Sequence, residues 1–122
     1  MDGGGRRHIL LVEDDAAIRE MVRLALSDEG YEVLVATDGA AALSLLAHRP
    51  PALILLDMKM PGTDGWTFAR QYAQQGAARA PIIVLTAAQD AAQRADEIGA
   101  AGYLAKPFDL EELLEIIATY VS

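Results

Sequence analysis

The chain contains no cysteine, which excludes disulfides, thiolate metal centres and cysteine nucleophiles and leaves a reducing compartment open to it. Basic residues are few. Ten of them face eighteen acidic ones, a formal net charge of −8, and this balance opposes the phosphate neutralisation on which nucleic-acid affinity depends. Direct DNA or RNA binding by this chain is therefore not expected. Long apolar runs are missing too. The run Ile9 to Val12, after the charged and Gly-rich start from Met1 to Arg7, is far shorter than the core of a signal peptide. No membrane association is expected, and the location is read as cytoplasmic. His8 and His48 have no partner His or Cys, so neither is assigned a role.

Apolar residues make up 52% of the 122 positions against 23% charged, enough to build one hydrophobic core. Residues 1–7 read as a flexible tail and 8–122 as a single domain. Four short runs are apolar without alternation: Ile9 to Val12, Val33 to Val35, Leu53 to Leu56 and Ile82 to Leu85. Such runs suit strands buried on both faces, as in a parallel sheet. A weaker fifth candidate is Tyr103 to Ala105.

Segments of helical character separate the runs. Ala16 to Asp28 carries Ile18, Met21, Val22 and Ala25, and Ala40 to Ala47 carries Leu43, Leu45 and Leu46. Trp66, Phe68 and Tyr72 read as the packed face of a third helix. A fourth, about Asp90 to Ile98, has only Ala91, Ala92, Ala95 and Ile98 to bury. The last shows the clearest period, with Leu110, Leu113, Leu114, Ile117 and Val121 on one stripe and Asp109 as N-cap three residues before Glu112. Five βα units predict an α/β fold: a flavodoxin-like, doubly wound, five-stranded parallel sheet of order 2-1-3-4-5 with five helices.

In that topology ligands bind beyond the carboxyl ends of the strands, where strands 1 and 3 lie side by side. Strand 1 runs into Glu13, Asp14 and Asp15; strand 3 ends at Asp57; strand 4 ends at Thr86; strand 5 runs into Lys106 and Pro107. Carboxylates brought this close either raise one another's pKa values or hold a hard cation. Mg²⁺ suits oxygen-only ligands and keeps positions for water and phosphate oxygens. Asp57 is then the natural nucleophile toward phosphorus, with Mg²⁺ and Lys106 supplying positive charge and Thr86 a hydroxyl donor. Asp15 reads more simply as the cap of the first helix.

The stretches LLVEDD, LLDMKMPGTDGW, IIVLTA and GYLAKPF, in this order and spacing, resemble the receiver domains of two-component response regulators across about residues 8 to 121. The resemblance implies that 8–122 is a receiver domain and that Asp57 accepts a phosphoryl group from a sensor histidine kinase or phosphotransfer protein. Glu13 and Asp14 would be the acidic pair, and the Lys59 backbone carbonyl would complete the metal site with Asp57. Thr86 and Lys106 would bind the phosphoryl group, Tyr103 would be the aromatic switch residue, and Lys106–Pro107 would be a cis peptide. On this reading the chain is not an enzyme with a separate substrate; it catalyses its own phosphorylation and dephosphorylation and then alters its binding to an output protein.

Two alternatives share parts of this pattern. An FMN-binding flavodoxin would need a Ser/Thr/Gly-rich phosphate loop where Glu13 and Asp14 stand. A phosphohydrolase with an aspartyl-phosphate intermediate would carry a second acid two residues after the nucleophile, where Lys59 stands. The side chain of Lys59 either overhangs the phosphoryl site or is an ordinary solvated lysine. Output is expected on the face of the fourth helix, strand 5 and the fifth helix, with Ile116 and Tyr120 as apolar contacts for a partner. Ala101 and Gly102 stand where the winged-helix transcription-factor class carries an acidic pair before the Tyr, a departure from that class and its dimer. A natural single-domain regulator and a part of a multidomain protein both remain open.

Overall fold

The computed structural model describes residues 8–58, 64–75, 80–87 and 89–121. Strands and helices alternate as β1 (His8–Val12), α1 (Ala16–Asp28), β2 (Glu32–Ala36), α2 (Gly39–His48), β3 (Leu53–Asp57), α3 (Gly65–Gln74), β4 (Ile82–Ala87), α4 (Ala91–Ile98), β5 (Gly102–Lys106) and α5 (Leu110–Tyr120). The strands form one sheet of order β2-β1-β3-β4-β5, and every pairing is parallel. Fold class, strand order and helix number are those expected.

Alternation along each strand divides the core in two. Ile9, Leu11, Leu53, Leu55, Ile83 and Leu85 meet Val22 and Leu26 of α1 and Leu113 and Ile117 of α5. Leu10, Val12, Ile54, Leu56 and Val84 face the other way, toward Ala42 and Leu46 of α2, Phe68 and Tyr72 of α3, and Ala95 of α4. Covering both faces explains why these strands read as unbroken apolar runs. Each fully buried Leu or Ile contributes about 1.5–3 kcal/mol relative to exposure, so the central strands anchor whatever stands at their ends.

Four helix starts are set by an aspartate. Asp15, Asp38, Asp64 and Asp109 accept from the backbone N–H three residues on, and Asp109 with Glu112 forms a reciprocal capping box. At the end of α4, Gly99 takes the left-handed conformation at φ +67°, which a side chain would resist.

Four side chains depart from the expected stripes. Leu110 is exposed, because helical side chains lean toward the N-terminus and the first residue of α5 leans off its end. Met21 is exposed, because the stripe of α1 that meets the sheet runs through Val22 and Leu26 and leaves Met21 one position off it. Ala92 is exposed for the same reason, since α4 buries Ala91 and Ala95 at a spacing of four. Ile116, expected on the outer side of α5, packs against the core beside Gly102.

Candidate functional site

Register builds the site. Val12 pairs with Leu56 and Asp57 with Leu85, so the residue after β1, the last of β3 and the residue after Leu85 arrive at one edge. Those residues are Glu13, Asp57 and Thr86, all buried. Lys106 arrives from β5 opposite Ala87. Together with Asp14 they line a cleft of about 740 Å³ whose apolar rim includes Ile18, Met21 and Phe108.

Within the cleft a single lysine pairs with two of the carboxylates. Glu13 is fully buried, and its Oε1 lies 2.9 Å from Lys106 Nζ. This contact is an ion pair without the angular geometry of a hydrogen bond, and it offsets the cost of burying the carboxylate. Glu13 Oε2 accepts from the Asp15 N–H at 3.2 Å. The Lys106 ammonium also stands 3.7 Å from Asp57 Oδ2. One carboxylate oxygen from each of Glu13, Asp14 and Asp57 lies within 4.8 Å of the others. An octahedral ion with bonds of about 2.0–2.1 Å sets neighbouring ligand oxygens about 3 Å apart and opposite ones about 4 Å apart. A small closure, or a water in place of one direct bond, therefore fits this trio to Mg²⁺.

Thr86 and Tyr103 share a sheet face. Tyr103 pairs with Val84, two residues before Thr86, and Val84 belongs to the core that α4 covers. Tyr103 is 46% exposed. The Lys106–Pro107 peptide is cis. Lys59, with its expected metal-binding carbonyl and its side chain, lies outside the described residues. Asp15 caps α1 by accepting from the Ile18 N–H at 3.1 Å.

Some contacts lie outside what the sequence analysis singles out. Arg19 Nη1 donates to the carbonyls of Glu13 at 3.2 Å and Asp14 at 3.3 Å. Trp66 Nε1 donates to Glu97 Oε1 at 2.7 Å, tying α3 to α4, and the Arg94 guanidinium lies 5.1 Å from the Trp66 ring. Gly65 opens α3 against the residue after Asp57; a Cβ there would stand 2.5 Å from Met58 Sδ and 2.9 Å from Met58 Cα. Only the last had a visible marker, a glycine following an N-cap aspartate.

A parallel five-stranded sheet with an acidic cluster at the ends of β1 and β3 and a lysine reaching it from the edge strand β5 defines a class, and comparison with known proteins agrees. Residues 9–118 match the response regulator receiver domain family, and the chain belongs to it. Response regulator MprA of Mycobacterium sp. (strain KMS) is 46% identical over 108 residues, covering 87% of this chain and 46% of that relative. The chain thus spans about half the length of the curated relatives it matches. Among solved structures, the chemotaxis response regulator CheY4 of Vibrio cholerae superposes with a TM-score of 0.85 at 34% identity, covering 94% of this chain and 98% of that one. A CheY-like receiver domain protein from Methanospirillum hungatei JF-1 gives 0.82 at 30% identity, covering 93% of each chain. No helix among the described residues is long and apolar enough to cross a membrane.

Proposed function

We propose that this receiver domain is a phosphorylation switch whose Asp57 accepts a phosphoryl group from a histidine kinase or phosphotransfer protein. The observation that carries this reading is the convergence of Glu13, Asp14 and Asp57 within 4.8 Å beside the Lys106 ammonium. An Asp57 carboxylate oxygen attacks phosphorus, the bond from phosphorus to the donor nitrogen or oxygen breaks, and the leaving group takes up a proton. Such a transfer needs charge neutralisation and alignment more than acid–base help.

Asp14, Asp57 and the Lys59 carbonyl would hold Mg²⁺ in this reading, with Glu13 beside them as the second acid of the pair, and the ion would supply positive charge at the phosphoryl oxygens. Lys106 leaves Glu13 to pair with the phosphoryl group, and Thr86 donates its hydroxyl to it. Turning Thr86 toward the phosphoryl group vacates space on the face it shares with Tyr103, which carries the change to α4, β5 and α5. That face, with Tyr103 and Tyr120 exposed on it, meets the output protein. The domain works in the cytoplasm, speeds its own phosphorylation and dephosphorylation, and does not itself contact nucleic acid.

Intact-mass measurement with acetyl phosphate and Mg²⁺ tests the assignment. Wild type gains one phosphoryl group and Asp57→Asn gains none; equal incorporation in both overturns it.

A further inference from the structure

We infer that Arg19 is a positioning residue for the divalent cation, acting through the backbone of the loop between β1 and α1. The inference rests on the metal reading given above. Arg19 sits in the first turn of α1, the end at which the helix dipole favours an acid such as the capping Asp15 and disfavours a cation. Its place is therefore not explained by helix stability. Its Nη1 instead holds two consecutive carbonyls, those of Glu13 and Asp14.

Glu13 has other restraints, namely Lys106 on one oxygen and the Asp15 N–H on the other. Asp15 is fixed by its cap to Ile18. Asp14 is exposed between them, and Arg19 grips the peptide that carries it. Fixing that peptide fixes the direction in which the Asp14 carboxylate leaves the chain. An ion arriving at Asp14 and Asp57 then has less to order.

The guanidinium charge works the other way, since it repels a divalent cation. Orientation outweighs it because the guanidinium faces carbonyl oxygens at a partly exposed position, where water and salt weaken the repulsion. Outer-shell groups that orient ligands typically carry about 10–100-fold in metal affinity.

Titration calorimetry with Mg²⁺ alone on the unphosphorylated protein tests this. Arg19→Gln should weaken Mg²⁺ about tenfold, and Arg19→Lys, which keeps a donor, should recover part of the loss. Arg23→Gln removes a like charge one turn along α1, where Arg23 pairs with Glu20, and should stay within about twofold of wild type, a change worth ~0.4 kcal/mol. A second readout needs no metal: the Asp15 amide, which donates to Glu13, should exchange its hydrogen several-fold faster in Arg19→Gln while the thermal midpoint is held.

Wild-type or tighter Mg²⁺ affinity in Arg19→Gln overturns the proposal, as does an equal loss in Arg23→Gln. An unchanged Asp15 exchange rate also overturns it. Absence of saturable Mg²⁺ binding in the wild type overturns the metal reading itself, and this proposal with it. Binding in the wild type with unchanged affinity in the variant overturns this proposal alone.

Discussion

His8 begins β1 with only 5% of its surface exposed and, among the described residues, with no hydrogen-bond partner for Nε2. Burial first, and then the nearby Arg49 guanidinium, hold its imidazole below the usual 6.5. The folded state therefore resists a proton that the unfolded chain accepts. The stability this contributes is fully present above pH 6.5 and declines as pH falls from there toward the lowered folded value, with a slope of at most ~1.4 kcal/mol per pH unit for one proton. Urea midpoints compared at pH 7.5 and 5.5, about one unit either side of the free imidazole value, should drop more for the wild type than for His8→Phe. Equal drops would show that His8 takes no part. Sequence alone marked this histidine only as lacking a metal partner, since whether a strand's first residue is covered depends on neighbours distant in sequence.

Elements were the most legible level. The strands declared themselves because a sheet covered on both faces needs apolar side chains at every position, and α5 did so because Asp109 and Glu112 close its first turn before a spaced apolar stripe. Legibility failed where a helix meets something other than the sheet. Trp66 was read as packing and does rest against the core, yet its indole N–H also reaches Glu97, thirty-one residues away, a pairing no local pattern announces. The contact matters for α4, which buries only Ala91 and Ala95 fully. Trp66→Phe keeps an aromatic ring but removes the donor to a charged acceptor at this exposed position. Amide hydrogens of α4 should then exchange about fivefold faster than in the wild type, with those of β3 unchanged. No acceleration in α4 would mean that the indole hydrogen bond contributes nothing to holding that helix.

For the molecule as a whole, the acidic edge and the net charge of −8 would make a bound cation a stability term on the proposed function. A ligand that binds only the folded state adds RT ln(1 + [L]/Kd), about 2.7 kcal/mol at a hundred times Kd. The denaturation midpoint should rise with Mg²⁺ in the wild type and stay flat in Asp14→Asn, whose exposed side chain can be changed at little cost to the fold. A parallel rise in the variant would place the stabilising ion elsewhere. The site residues were legible because strand order forces the ends of β1, β3, β4 and β5 to one edge, and the polar residues at the ends of those apolar runs are Glu13, Asp14, Asp57, Thr86 and Lys106. What stayed hidden was how they are held: the ion pair of Lys106 with Glu13 and the grip of Arg19 depend on side-chain reach, which a pattern along the chain does not encode.

The order β2-β1-β3-β4-β5 has one more consequence. Asp57 lies near the middle of the chain on the middle strand; the acids arrive from the first half and Thr86 and Lys106 from the second. Neither half of a nascent chain holds a finished site, because Lys106 reaches Glu13 only after β5 has docked on β4. The geometry that would admit a phosphoryl group is thus also an inspection of assembly, and on the proposed function a molecule stalled before its last strand would stay silent to a donor.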